Sequence, residues 1–275
     1  MSITSDRNEQ YTHGHHESVL RSHTWRTVAN SAAYLIPEIR SGQAVLDVGC
    51  GPGTITIDLA RRVGPGSVVG IDASPDVIAQ ATATAAEKGI GNVRFATGDA
   101  YALDFADNSF DIVHSHQTMQ HLGDPATALR EMYRVTKPGG VVAIRDADYG
   151  GMIWFPPLPG LAHWMATYQA VHRSNGAEPD AGRHLRYWAV QAGLADVTAT
   201  GSTWCFASDA DRTWWGGMWA DRVRNSSFAD QAIERGFATD ADIDDIRAAW
   251  LQWIDEPGAW FAVPNGELIC RKPLA

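Results

Sequence analysis

Between residues 44 and 146, five short β-branched runs alternate with stretches whose apolar residues recur at helical spacing. This alternation restricts the fold more than any other feature of the chain. The runs are AVLDV (44–48), SVVGI (67–71), VRFAT (93–97), DIVHS (111–115) and VVAIR (141–145), with TITIDLARRV, SPDVIAQATATAAEKG and DPATALREMYRVTKPGG among the segments between them. Asp124 before Pro125 is a helix-start signal, and KPGG at 137–140 a stop. Repeated strand–helix units predict an α/β fold, a mostly parallel sheet with helices on both faces.

The first run ends in VLDVGCGPGT (45–54), which places Gly49, Gly51 and Gly53 directly behind Asp47. A strand that feeds a glycine-rich turn and then a helix offers backbone N–H groups and a positive dipole end to a ligand. A dinucleotide fingerprint, GxGxxG, needs a third glycine where this chain has Thr54. The second run ends in Asp72, 25 residues after Asp47, where an acid can accept from both hydroxyls of a ribose. TGDA at 97–100 puts Asp99 after the third, where it could accept from an exocyclic amine such as that of adenine. Three successive strand ends are thus expected to converge on one crevice at the carboxyl edge of the sheet.

Charge and cysteine usage narrow the function. With 22 Lys+Arg against 32 Asp+Glu the formal net charge is -10, which argues against a nucleic-acid partner. Cys50, Cys205 and Cys270 are too widely spaced for a CxxC metal site and odd in number for a disulfide framework. The first residues contain no apolar signal region, and no apolar run approaches the ~18 residues of a membrane span, so a cytoplasmic protein is expected. His13, His15, His16 and His23 lack a Cys or a regularly spaced carboxylate to complete a metal site, and no metal is expected.

The flanks differ from the centre. HTWRTVANSAAYLIPEI predicts one amphipathic helix ending near Pro37. Residues 147–260 hold ten of the 11 tryptophans, which suggests an aromatic helical cap. AWFAVPNGELICRK (259–272) predicts two strands joined at Asn265–Gly266.

VLDVGCGPGT, VVGIDASP, VRFATGDAYALDFADNSFDIVHSH and YRVTKPGGVVAI resemble, in order and spacing, the successive motifs of class I S-adenosylmethionine-dependent methyltransferases. The small-molecule type, similar to the enzymes of ubiquinone and menaquinone biosynthesis, is nearest in style, and the resemblance covers roughly residues 40 to 150. It implies a Rossmann-like seven-stranded sheet with the last strand antiparallel, a lid over 1–40, and a methyltransferase domain over 41–275 with cap insertions at about 150–190 and 205–257.

Carried over position by position, the resemblance puts Gly49 and Gly51 under the methionine part of S-adenosyl-L-methionine, with Asp47 supporting the turn. Asp72 would take the ribose hydroxyls, Ala73 would sit beside the adenine, and Asp99 with Ala100 would read its amine and ring edge. Ser115 and His116 would lie next to the sulfonium. Tyr11, His15, Trp25 and Arg26 would belong to a lid. For Arg26 two readings stand: a pair with the cofactor carboxylate, or a solvated helix face.

Methyl transfer from a sulfonium is an in-line displacement in which orientation supplies on the order of 7–11 kcal/mol of the barrier. A hydroxyl nucleophile would still gain from a base, for which His116 and His121 are the candidates, with plain packing as the alternative. Asp146 is read as structural, while Asp148 could touch substrate. Trp154, Trp164, Trp214, Trp215 and Trp219 could wall a pocket for a small apolar or aromatic acceptor, fill a core, or serve a homo-oligomer interface. The rival functions are a cofactor-binding protein with a regulatory or non-methylating role and, disfavoured by Thr54, a nucleotide-dependent oxidoreductase.

Overall fold

The computed structural model describes residues 25–274. Strands β1 (Ala44–Val48), β2 (Ser67–Asp72), β3 (Val93–Thr97), β4 (Phe110–His116) and β5 (Thr136–Ala147) run parallel in the order β3-β2-β1-β4-β5. β6 (Ile153–Phe155), β7 (Val197–Phe206) and β8 (Trp260–Arg271) complete the sheet, with β8 antiparallel to β5, β6 and β7. Phe261 and Ala262 of β8 pair with β6 and also with β7, so these two strands occupy opposite edges of β8. β6 therefore continues the track of β5, and the eight strands are the expected seven-stranded arrangement plus this three-residue extension.

Apolar runs buried on both faces explain the central strands. One face packs Leu46, Val113 and Ile144 against Leu129 and Met132 of α4 (Pro125–Val135) and Leu185 of α6 (Ala181–Gln191). The other packs Val45, Val68 and Ile112 against Val28 of α1 (Val28–Ser31), Leu35 and Leu59 of α2 (Thr54–Val63). α3 (Pro75–Glu87) follows β2, with Ser74 capping it through the Val77 N–H and Pro75 in its first turn.

Two local expectations fail. The N-terminal amphipathic helix is instead the four-residue α1 followed by a 3-10 helix, Ala33–Glu38, that contains Pro37. Thr27 and Asn30 form a capping box, the Asn30 amide also donates to the Trp25 carbonyl, and Ala32 leaves helical geometry with φ -142°. These side chains satisfy the backbone locally and compete with a longer helix. The hairpin at Asn265–Gly266 is absent, because β8 runs straight through both residues. Gly266 serves a close approach: a Cβ there would lie 2.0 Å from the Gly182 carbonyl oxygen at the start of α6. The glycine lets a helix terminus touch a strand rather than letting the chain turn.

The cap consists of α5 (Pro159–Ser174), α7 (Asp209–Asn225), α8 (Ser227–Glu234) and α9 (Asp240–Asp255). Trp164 from α5 meets Trp219 of α7 edge-on at 4.6 Å and Trp250 of α9 at 4.9 Å between ring centroids, and Phe261 of β8 joins the cluster. Edge-to-face rings of this kind add about 0.5–1.5 kcal/mol per pair beyond area burial. Trp164, Trp215, Trp219, Trp250 and Trp253 are buried, so these five are packing residues first. Among the described residues no helix is long and apolar enough to cross a membrane.

Candidate active site

The carboxyl ends of β1, β2, β3 and β4 open into one cavity of about 910 Å³. At the end of β1, Gly49, Gly51 and Gly53 have φ values of 72°, 53° and 78°, which side-chain-bearing residues rarely adopt. A Cβ on Gly49 would also lie 2.2 Å from the Thr118 hydroxyl oxygen.

The turn does not present its N–H groups as the sequence suggests. Gly49 and Cys50 donate to the Ile71 carbonyl at 2.8 and 2.9 Å, Gly51 to Asp72 Oδ2 at 3.0 Å, and Gly53 to the Cys50 carbonyl at 3.1 Å. A pyrophosphate would find these donors already used, whereas a ligand that brings an amine to this acid-rich end is not penalised. Asp47, Asp72, Asp76 and Asp99 all line that end. Burial, with Asp47 and Asp72 nearby, pushes the Cys50 thiol well up, which disfavours the thiolate a nucleophile needs.

Asp72 holds the Gly51 N–H on one oxygen and the Ser74 N–H on the other, each at 3.0 Å. A carboxylate has about four acceptor sites, so both oxygens retain capacity for ribose hydroxyls. Ala73, Asp99 and Ala100 line the cavity beside it, with Asp99 Oδ1 accepting from the Tyr101 N–H at 2.8 Å. The acceptor set therefore fits an adenosyl group joined to an amino acid. Asp47, 2% exposed, accepts from the Thr56 hydroxyl at 2.6 Å and pairs with His114 Nδ1 at 2.7 Å.

Beyond β4 the chain forms the other end of the cavity, where His116, Gln117, Thr118, Gln120 and His121 line the wall with Arg26 and Tyr149. Gln117 sits at φ 51°, a conformation that costs a non-glycine residue roughly 1–3 kcal/mol and that clusters at functional sites. Its side-chain oxygen accepts from Arg26 Nη2 at 2.5 Å. His116 lies with its ring 5.7 Å from that of Trp204.

His121 is less suited to proton abstraction than its position suggests. The Gln120 amide donates to His121 Nε2 at 3.1 Å, so the lone pair a base would use is engaged. Burial, then His172 and Arg26, push its proton affinity well below the usual histidine value. His172 donates from Nε2 to the Gln120 carbonyl at 3.0 Å and is itself held down to about 4, chiefly by burial.

Asp146 anchors this segment, accepting the Gln120 N–H at 3.0 Å, and burial raises its carboxyl to about 7.

The families of known proteins decide what this cavity belongs to. A family model described as a methyltransferase domain matches residues 39–197, more than half of the chain. The chain belongs to this methyltransferase family. An uncharacterized methyltransferase of Schizosaccharomyces pombe is 33% identical over 272 residues, 95% of this chain and 96% of that one. Demethylmenaquinone methyltransferase of Geobacillus kaustophilus is 37% identical over 121 residues, 44% of this chain and 52% of that one. Phosphoethanolamine N-methyltransferase 2 of Haemonchus contortus, solved with phosphomonomethylethanolamine and S-adenosylhomocysteine, superposes with a TM-score of 0.55 at 21% identity, over 88% of this chain and 52% of that one. The protein is an S-adenosylmethionine-dependent methyltransferase with a Rossmann-like fold.

Not every expected site residue of the methyltransferase reaches the cavity. Ser115 is fully buried and donates its hydroxyl to the Val48 carbonyl at 2.9 Å, bracing β1 against β4 instead of facing a ligand. Trp154 of β6 stacks on its register partner Phe261 of β8 at 5.8 Å, away from the lining. Asp148 is held by both Nε and Nη2 of Arg183, at 2.6 and 2.5 Å, and also accepts the Arg183 backbone N–H at 3.1 Å in the first turn of α6. Asp146, buried and holding the Gln120 N–H, has the structural part the sequence suggests, and Asp148 is engaged by Arg183 and absent from the cavity lining. Tyr11 and His15 lie outside the described residues.

Residues missed from the sequence include Gln117, Thr118, Gln120, Tyr149 and Arg222 in the lining and His114 behind Asp47. Only His114 carried a local signal: it sits one strand over from Asp47 in exact-register positions of two apolar runs, where a titratable side chain needs a partner.

Proposed function

We propose that this methyltransferase transfers the methyl group by in-line displacement to a small apolar or aromatic metabolite, and that the segment at Arg26 and the cap enclose it. The observation that carries the reading is the continuity of one cavity of about 910 Å³, from the acid-lined strand ends to a wall containing His116 and Tyr149. That volume lies at the upper end of small-molecule sites, enough for a nucleoside-sized ligand and a second small molecule.

In this reading Gly49 and Gly51 lie under the methionine part of S-adenosylmethionine, with Asp47 holding the turn. Asp72 accepts from the ribose hydroxyls, Ala73 packs on the adenine, and Asp99 with Ala100 reads its edge. Arg26 pairs with the amino-acid carboxylate. The bound cofactor supplies an electrophilic methyl group on a sulfonium.

The chain's own part is orientation and exclusion of water. Where the acceptor is a hydroxyl, His116 takes its proton, and His121 stays neutral as wall. A panel of phenols, catechols, quinols and aromatic acids incubated with methyl-labelled S-adenosylmethionine tests the proposal. Label is expected in an apolar or aromatic acceptor together with stoichiometric S-adenosylhomocysteine. Transfer confined to polar aliphatic acceptors would overturn it.

A further inference from the structure

Trp204 lies on β7, is 8% exposed and is absent from the lining of the large cavity, yet its ring lies beside residues that form the far end of that cavity. Its indole N–H donates to the Asn30 carbonyl at 2.6 Å, and Trp25 packs edge-on against it at 5.3 Å between ring centroids. The Arg26 guanidinium stands 5.8 Å from the ring centre, and the His116 ring is 5.7 Å away. Trp204 therefore holds the Trp25–Asn30 segment at both of its ends.

The ring is itself held from the sheet. The Arg145 guanidinium lies 4.4 Å from its centre. Arg145 is 1% exposed, and its Nε donates to the Ser202 hydroxyl at 3.2 Å and to Glu267 Oε1 at 3.3 Å. Glu267 also accepts from the hydroxyls of Ser202 at 2.5 Å and Thr200 at 3.1 Å. A cation removed from water in this way is drawn to an aromatic face more strongly than an exposed one. Arg145 pairs in register with His116, and its carbonyl accepts the Gln117 N–H at 2.7 Å, while Gln117 accepts from Arg26. His116, Gln117 and the Trp25–Asn30 segment thus rest on one Arg145–Trp204 unit.

The segment needs such a support. α1 is four residues long, below the length at which a helix holds itself in water, and its capping box satisfies its own backbone without tying it to the sheet. The Val28 N–H on Asp58 Oδ2, at 2.9 Å, fastens it to α2, and the Trp204 bond to Asn30 fastens it to β7.

We propose that Trp204 is a positioning residue of the cofactor site: through its indole N–H and its ring it seats the Trp25–Asn30 segment so that Arg26 is held toward the cofactor, which Trp204 does not itself touch. This rests on the reading of Arg26 as the partner of the amino-acid carboxylate and names what keeps it there. The affinity for S-adenosylhomocysteine then scales with the share of molecules in which the segment is seated.

Calorimetric titration of the full chain with S-adenosylhomocysteine tests this through a double-mutant cycle. Trp204→Phe keeps a ring and deletes the donor, and is expected to weaken binding about three- to tenfold, the range that one hydrogen bond contributes. Arg26→Gln is expected to weaken it at least as much. In the Arg26→Gln background, Trp204→Phe should change the affinity by less than about twofold, because the group that Trp204 places is gone. A variant that merely loosens the protein would instead multiply with Arg26→Gln. β-(3-benzothienyl)alanine at position 204 puts sulfur in the place of the N–H within the same ring outline; it should reproduce Trp204→Phe, and it decides in its place if the phenylalanine variant does not fold. Trp204→Phe binding within about twofold of the unaltered protein, or losses that multiply, would overturn the proposal and leave Arg26 at the carboxylate. An Arg26→Gln protein that binds as tightly as the unaltered one would remove the reading of Arg26, and the proposal with it.

Discussion

His114 on β4 and Asp47 on β1 are register partners, and their side chains meet inside the sheet with 2.7 Å between Nδ1 and Oδ1. The other Asp47 oxygen takes the Thr56 hydroxyl of α2 at 2.6 Å. One carboxylate thus ties two strands and a helix together beneath the glycine turn that opens the cavity.

Asp47→Ala leaves both the His114 ring nitrogen and the Thr56 hydroxyl buried without this acceptor. A buried group so orphaned costs about 1–3 kcal/mol. The expected loss is about 3 kcal/mol, which lowers the melting midpoint by roughly 6–12 °C in a chain of this size. Calorimetry checks it, and a drop of under about 1 kcal/mol would show that the carboxylate is not the tie.

Asp72→Ala is expected to weaken S-adenosylhomocysteine binding by about 10- to 100-fold, since hydrogen bonds to a charged acceptor contribute about 1.5–3 kcal/mol. The Gly51 and Ser74 N–H groups also lose their acceptor, so a small fall in stability accompanies it. Isothermal titration separates the two, and an unchanged dissociation constant would remove the ribose role.

His116→Gln should lower turnover by about 100-fold or more with a hydroxyl acceptor, the usual contribution of a general base, and leave the affinity for S-adenosylhomocysteine nearly unchanged. His121→Gln should cost less than about tenfold, because the Nε2 lone pair already accepts from Gln120. Single-turnover rates for the two variants provide the comparison. The reverse ranking would make His121 the base.

Stability against pH carries opposing contributions from the same neighbourhood. Asp146, raised from 3.8 to about 7 by burial against the opposing pull of the Gln120 and Met119 N–H groups, Arg145 and Arg26, binds its proton more tightly folded than unfolded. Its contribution is full below pH 3.8 and is lost as pH rises through 7. His172, lowered from 6.5 to about 4 with Arg173 and Asp180 as its charged neighbours, behaves oppositely: its contribution is present above 6.5 and lost as pH falls towards 4. His121, also lowered, adds to the second trend. Between pH 4 and 6.5 the terms offset. Asp146→Asn removes one side, so urea melts of that variant should show stability falling more steeply with acid than in the unaltered protein. An equal or shallower slope would contradict the raised carboxyl.

The parallel core was legible because its signals are local. A β-branched run of five residues, a cap such as Asp124 before Pro125, and three glycines behind an acid each report on neighbours in sequence, and together they placed Asp47, Gly49, Gly51, Asp72 and Asp99 at one edge. Signals that stayed local in form but were answered by distant partners misled. Asn265–Gly266 has the composition of a turn, yet Gly266 is there because the Gly182 carbonyl comes so close. Ser115 and Trp154 sit near the expected sites in sequence, but one hydroxyl is spent on Val48 and one ring on Phe261.

What the chain alone determined is therefore the strand-and-helix alternation and the acid-lined half of the cavity, since hydrophobic period, capping and backbone sterics act over a few residues. Arg26, His116 and His121 were also named from the chain, but tertiary structure alone decided how the other half is assembled. Arg26, Tyr149 and Arg222 come from a segment before the sheet, a turn after β5 and a helix of the cap, and no spacing links them. Their meeting follows from how the tryptophan cluster seats the cap on the sheet, a consequence of packing between residues far apart in sequence, which leaves no periodic trace in the chain.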